Sequence, residues 1–255
     1  MNKKLIIIGN LKMNLSLKEI IFYIINIIKK IKYINKSKID ITLSVPYIFL
    51  HISHCLTLGS NLHIASQNMF YEDFGEYTGE ISAKMLKSIG INRIILGHSE
   101  RRKYFFETNK ILKKKILQAL KYNFKIFFCV GEKIEDRKNK KHYDIIYKQI
   151  KETIFSICSY KQLKSIIIAY EPLWAIGTGK TASIKQIKKM HTYIKNIFVK
   201  KYGKSIFSKI KILYGGSINI KNNNIIFSQK NVDGGLIGKS SLTEENFFKI
   251  IQSSL

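Results

Sequence analysis

The chain has 255 residues, 45% of them hydrophobic, and a formal net charge of +27 from 44 basic and 17 acidic side chains. That apolar share supports a sizeable core and excludes global disorder. The longest apolar run, residues 20–28, contains Asn26 and falls far short of the ~20 residues a membrane helix needs.

The basic residues are spread from end to end, among Ile and Asn runs that share AT-rich codons. A nucleic-acid footprint is clustered instead, so the charge reads as compositional drift, with no specific nucleic-acid partner and no membrane. A positive field of this size still speeds capture of an anionic substrate. The three cysteines, Cys55, Cys129 and Cys158, form no CxxC pair. They suggest neither a disulfide framework nor a zinc site and suit a reducing compartment. The N-terminal apolar run, residues 5–8, is shorter than a signal sequence needs, and the expectation is a soluble, cytoplasmic protein.

Along the chain, dense apolar runs predict strands at 5–10, 39–45, 62–67, 93–97, 125–130, 165–170, 211–214 and 233–237. Such runs fit strands buried on both faces of a parallel sheet. Between them, amphipathic or polar stretches predict helices at 17–32, 47–58, 82–89, 108–122, 135–157, 181–200, 219–228 and 243–254. Ser16, Thr181 and Thr243 stand where helix caps belong. Eight βα units of about 30 residues, with no linker between them, predict one α/β domain over 1–255, a closed (β/α)8 TIM barrel. An open doubly wound sheet is the alternative. It would carry a GxGxxG after its first strand, where this chain has Gly9-Asn10-Leu11-Lys12.

Ten of the 15 glycines lie at a strand end or in the loop just after one, the face where barrel active sites form. Polar groups gather there too: Asn10 and Lys12 after strand one, His98, Ser99, Glu100, Arg101 and Arg102 after strand four, Glu171 after strand six, Ser217 after strand seven, and Gly238 and Lys239 after strand eight. Glu171 sits between a buried strand and Pro172, ahead of Gly177 and Gly179, as a general base beside a lid would. With His98 and Lys12 nearby, the set suits proton abstraction next to a carbonyl, with the developing oxyanion stabilised electrophilically. No cofactor is called for. His51 and His54, one helical turn apart, make only two potential metal ligands and read as packing or surface residues, so no metal is expected.

Three familiar motifs fail. A P-loop ending at Lys180-Thr181 would need Gly where Trp174 stands. The segments Gly97–Arg101 and Gly215–Asn219 both lack the last glycine of GxSxG.

Gly9-Asn10-Leu11-Lys12-Met13-Asn14, Gln67-Asn68, Tyr77-Thr78-Gly79-Glu80, Gly97-His98-Ser99-Glu100-Arg101-Arg102, Cys129-Val130-Gly131-Glu132, the block from Tyr170 to Lys180, and Tyr214-Gly215-Gly216-Ser217 occur in this order. In these segments the chain resembles the triosephosphate isomerase family over essentially its whole length. The resemblance implies interconversion of dihydroxyacetone phosphate and glyceraldehyde 3-phosphate through an enediol. It implies Glu171 as the base, His98 as the electrophile, Lys12 and Asn10 in the oxyanion site, and Glu100 as the support of Lys12. A neutral imidazole and a water-excluding lid, here 172–180, belong to what is known of the family. Gly177, Ser217, Gly238 and Lys239 match its phosphate grip. Loop 69–80, with Thr78 near its tip, implies a homodimer in which the partner's loop steadies Asn10 and Lys12.

The chain departs from the family at three points. Leu11 replaces a usual Trp, Phe106 a usual Gly, and Lys239 the second Gly of a pair after strand eight. Two other classes fit the composition: a different phosphate-binding barrel isomerase, and a basic binding protein without catalysis. The second leaves the strand-end residues unexplained.

Overall fold

A computed structural model describes residues 4–175 and 181–255. Eight parallel strands close into a barrel in sequence order: β1 (Leu5–Asn10), β2 (Ile39–Val45), β3 (Leu62–Ser66), β4 (Arg93–Leu96), β5 (Lys125–Val130), β6 (Ile166–Tyr170), β7 (Lys211–Tyr214) and β8 (Gly234–Ile237). Closure is made by β8 against β1, with Ile6 opposite Gly234 and Gly9 opposite Ile237. The expected barrel is therefore the observed fold.

Alternation along each strand divides the core in two. Ile6, Ile8, Ile95, Phe127, Cys129, Ile167, Ala169, Leu213 and Leu236 pack on the barrel axis. Their neighbours, such as Ile7, Ile94, Ile126, Ile168 and Ile212, face the helices in a larger outer cluster. Burying an Ile side chain contributes roughly 1.5–3 kcal/mol, so the Ile-rich strands supply a large part of the driving force. The same alternation turns Asp40, Thr42, Arg93 and Lys125 inward at the lower end. There Arg93 donates to Asp40 at 2.6 Å and Thr42 at 2.7 Å, and Lys125 donates to Asp40 at 2.5 Å. Burial by itself would raise the Asp40 carboxyl. Arg93 and Lys125 outweigh it and hold that group below the usual carboxylate range.

The outer layer contains α1 (Leu17–Ile31), α2 (Leu50–Thr57), α3 (Ala83–Ser88), α4 (Ser99–Tyr104), α5 (Asn109–Lys121), α6 (Ile134–Lys138), α7 (His142–Ile150), α8 (Ile184–Tyr202), α9 (Asn223–Phe227) and α10 (Glu244–Ser253). In α1 the buried residues Ile20, Ile24, Ile27 and Ile31 form one stripe. A capping box between Ser16 and Glu19 starts it, with the Ser16 amide 2.7 Å from the Glu19 carboxylate. Thr243 caps α10 as expected. The cap of α8 is Ser183, not Thr181, because Ser183 Oγ accepts the amide of Gln186 at 3.2 Å.

Other boundaries also differ from the periodicity. The stretch 135–157 breaks at Asn139 and ends in a π turn, Lys151–Phe155, instead of forming one helix. The stretch 47–58 opens with a 3-10 turn, Tyr47–Phe49, and the helix within 219–228 spans only Asn223–Phe227. Short α4 has no apolar periodicity to announce it, yet it organises the site. Phe106, just beyond it, has φ +53°, the left-handed region where the family's usual Gly fits without strain. Leu11 is wholly buried, so its difference from the family falls within the protomer's own core.

Candidate active site

Asn10, Lys12, His98, Glu171, Ser217, Gly238 and Lys239 line one cavity of about 360 Å³ at the C-terminal ends of the strands. Glu100 lines the adjoining groove and reaches over to Lys12, with Nζ–Oε1 2.6 Å. The ninth proposed site residue, Gly177, lies outside the described residues, as does the rest of 176–180.

Lys12 has φ +53°, unusual for a residue with a long side chain. Two contacts impose that shape. Its amide donates to Asn10 Oδ1 at 3.0 Å, and its carbonyl accepts Gln67 Nε2 at 2.9 Å. Gln67 also donates to the Ser44 carbonyl at 3.3 Å, tying the ends of β1, β2 and β3 together. The Lys12 ammonium is thereby directed across the mouth. A Cβ built on Gly238 would lie 3.4 Å from Lys12 Cε and 3.7 Å from Nζ, so the end of β8 borders the ammonium.

His98 is the cap of α4, and its Nδ1 accepts the Glu100 amide at 3.3 Å. With Nδ1 in the accepting role, Nε2 is the ring atom left to donate. Nε2 stands 3.2 Å from Glu171 Oε1, and the Ser99 amide donates to Glu171 Oε2 at 3.0 Å. Both oxygens of a 2% exposed carboxylate thus receive a donor from the start of α4.

Room for that carboxylate is made by glycine. A Cβ on Gly215 would come 2.8 Å from Glu171 Cγ, and one on Gly131 would come 1.9 Å from the Glu171 carbonyl oxygen. Cys129 is buried alongside. Burial pushes its thiol well above the ordinary value, and Glu171 adds to the effect.

The segment leading into 176–180 is anchored from below. Glu132, 1% exposed, accepts from Arg137 Nε at 2.7 Å, Tyr170 OH at 2.9 Å and Trp174 Nε1 at 3.2 Å. The Glu132 carbonyl accepts the Leu173 amide at 3.1 Å, and Arg137 lies over the Trp174 ring at 5.3 Å. Gln67, Ser99 and Glu132 stand in the motif segments named above, but neither they nor Arg137 were given a role there. The signal for Gln67 was its place just past a strand, like Asn10. Ser99 acts through its backbone, to which its side-chain type gives no clue.

Loop 69–80 is shaped by contacts within the chain. The Phe70 amide donates to the Ile81 carbonyl at 2.8 Å, and the Phe70 and Tyr77 rings lie 4.6 Å apart. Asp73 accepts from Gln118 and Lys121. Phe74 and Thr78 stand exposed on this loop. Elsewhere, a groove of about 340 Å³ beside Lys12 is bordered by Tyr47, Ile48, Gln67 and Phe105.

Comparison with known proteins agrees with this geometry. Residues 5–254 match the family described as triosephosphate isomerase. Among similar proteins, the triosephosphate isomerase of Flavobacterium psychrophilum is 43% identical over 246 residues, covering 96% of this chain and 97% of its own. That of Alkaliphilus oremlandii is 40% identical over 250 residues, covering 98% and 99%. That of Fusobacterium nucleatum is 39% identical over 253 residues, again covering 98% and 99%. On this barrel, and with a match of that extent, the chain belongs to the triosephosphate isomerase family.

Proposed function

We propose that this protein interconverts dihydroxyacetone phosphate and D-glyceraldehyde 3-phosphate, the step that links the two triose phosphates in glycolysis and gluconeogenesis. The observation that carries the reading is Glu171, held between His98 Nε2 and the Ser99 amide over a cavity bordered by Lys12. When the substrate carbonyl oxygen takes over the His98 Nε2 proton donor, one Glu171 oxygen is freed to remove a proton from C1. The electron pair moves into a C1–C2 double bond and the carbonyl oxygen gains a proton, giving an enediol. Return of a proton to C2, with loss of the C1 hydroxyl proton, yields the aldehyde without external oxidant or reductant. Lys12 and Asn10 stabilise negative charge on the oxygens, and Glu100 holds the Lys12 ammonium in place. The phosphate would sit against the backbone of Ser217, Gly238 and Lys239, the usual phosphate position after strands seven and eight, with Gly177 the further contact the family resemblance implies. Exclusion of water by 172–180 would protect the enediol.

The chain acts as one barrel domain over 1–255 and as a homodimer. Loop 69–80, with Thr78, fits the groove beside Lys12 of a second copy, where it would brace the strained Lys12 backbone. No helix among the described residues is long and apolar enough to cross a membrane. Three unpaired cysteines suit action in the cytoplasm.

The test is turnover of glyceraldehyde 3-phosphate, coupled through glycerol-3-phosphate dehydrogenase to NADH oxidation, beside larger phosphosugars. Conversion of the triose alone supports the reading; preference for a longer sugar phosphate refutes it. Thr78→Arg should yield monomers of low activity in sedimentation, whereas an active dimeric variant would oppose the loop's assigned place.

A further inference from the structure

A second cavity, larger than the catalytic one, lies at the opposite end of the barrel from the catalytic mouth. It measures about 640 Å³ and opens among the N-terminal ends of the strands. Six of its 13 lining residues are lysines, Lys4, Lys125, Lys161, Lys164, Lys209 and Lys211. Lys and Arg together make up only 44 of the chain's 255 residues. Lysine is therefore enriched here more than twofold over what evenly spread basic residues would give.

Carboxylates do not balance this charge. Asp40 is the one acidic residue lining the cavity, and Arg93 and Lys125 already share its two oxygens at 2.6 and 2.5 Å. Lys211 stands 3.6 Å from Asp233. Lys4, Lys161 and Lys164 are exposed and have no salt-bridge partner among the described residues. Burial, joined by Arg93 and Lys4 and opposed by Asp40, holds the Lys125 ammonium below its ordinary value.

The floor is of a different character. Leu163, Ile166, Ile167 and Ile206 are buried residues bordering the space. The Tyr160 ring forms part of the wall, its hydroxyl fixed by Lys209 at 2.8 Å and Ser205 at 3.0 Å. A ligand for this basin needs a flat or apolar body and several negative charges. The volume falls within the ~300–1,000 Å³ of small-molecule sites. A bare phosphate or a triose phosphate would leave the apolar floor unused. Nucleic acid would need an extended basic stripe and not a compact basin.

We propose that this basin binds a nucleoside di- or triphosphate, the base lying on the Leu163–Ile206 floor beside Tyr160 and the phosphates among the lysines. The site is separate from the catalytic one, being at the other end of the barrel.

The test is displacement of trinitrophenyl-ATP fluorescence from the full chain by ATP, adenosine and tripolyphosphate, each with and without saturating dihydroxyacetone phosphate. ATP should displace the probe, with adenosine and tripolyphosphate each at least about tenfold weaker, and the triose phosphate should have no effect. Lys161→Glu/Lys164→Glu should weaken ATP by about tenfold or more, since two attractive charges become repulsive. Lys188→Glu/Lys189→Glu makes the same charge change on exposed positions of α8 and should leave ATP affinity within about twofold. Isomerase turnover, followed in parallel, should be unaffected in both variants. Tripolyphosphate binding as well as ATP, equal weakening in both variants, or displacement by dihydroxyacetone phosphate would each overturn the proposal.

Discussion

Gly215→Ala isolates the placement of the Glu171 carboxylate from its chemistry. The added Cβ would come 2.8 Å from Glu171 Cγ and 3.2 Å from the Tyr170 carbonyl oxygen. Ordinary contact between such carbons is about 3.5–4.0 Å, so one of them must move by close to 1 Å. The backbone at Tyr170 is fixed, since its carbonyl accepts the Gly215 amide at 2.7 Å in the β6–β7 ladder. The Glu171 side chain therefore yields, and with it the 3.0 and 3.2 Å contacts to Ser99 and His98. A misplacement of about 1 Å in a reacting group costs on the order of 10²-fold in rate, near 2.7 kcal/mol. Overpacking costs stability about 1–3 kcal/mol, leaving a folded protein. In the coupled assay kcat should fall about 100-fold with KM within a few-fold, because the phosphate contacts are untouched. A folded variant with kcat within threefold of the parent would refute the view that Gly215 sets the carboxylate's position.

Three further outcomes follow from the same contacts. Gln67→Leu removes the donor to the Lys12 carbonyl and should lower kcat/KM by about ten- to a hundredfold, the value of a hydrogen bond to a strained site residue; unchanged kinetics would mean that Asn10 alone holds Lys12. Lys239→Gly should raise KM for the triose phosphate by about two- to fivefold, as expected for an exposed charge near an anion, and kcat and KM both equal to the parent's would sink that role. At alkaline pH, burial pushes the Cys158 thiol up to about 12 from an ordinary 9.0. A group with its folded pKa raised gives stability that is complete below 9.0 and lost as pH climbs toward about 12. Urea unfolding should therefore show stability falling above pH 9, less steeply in Cys158→Ala; parallel slopes would argue against the linkage.

The barrel was legible because the strands are dense apolar runs and all but the second end in, or are followed at once by, glycine or a polar residue. Asn10, Lys12, His98 and Glu171 could be read as one group once those ends were placed at one mouth. What escaped reading acts through backbone or through partners distant in sequence. The Ser99 amide reaches Glu171 across 72 positions, and α4 is too short to show a period. Gln67 matters for the carbonyl it holds, which no residue-type pattern reports. The break at Asn139 and the shift of the α8 cap to Ser183 were decided by local hydrogen bonds over hydrophobic spacing. The basic basin escaped for a related reason, since its lysines come from four separate stretches of chain and look like drift until the fold brings them together.

The most direct measurement is steady-state turnover of glyceraldehyde 3-phosphate by the purified protein and by Glu171→Gln, which keeps the side chain's shape and removes the base. With Glu171 as the proton carrier, the parent turns over rapidly. The variant should then lose about 10³-fold or more in kcat while KM changes only a few-fold. A folded variant that retains turnover within tenfold of the parent would contradict the assignment of Glu171 as the base.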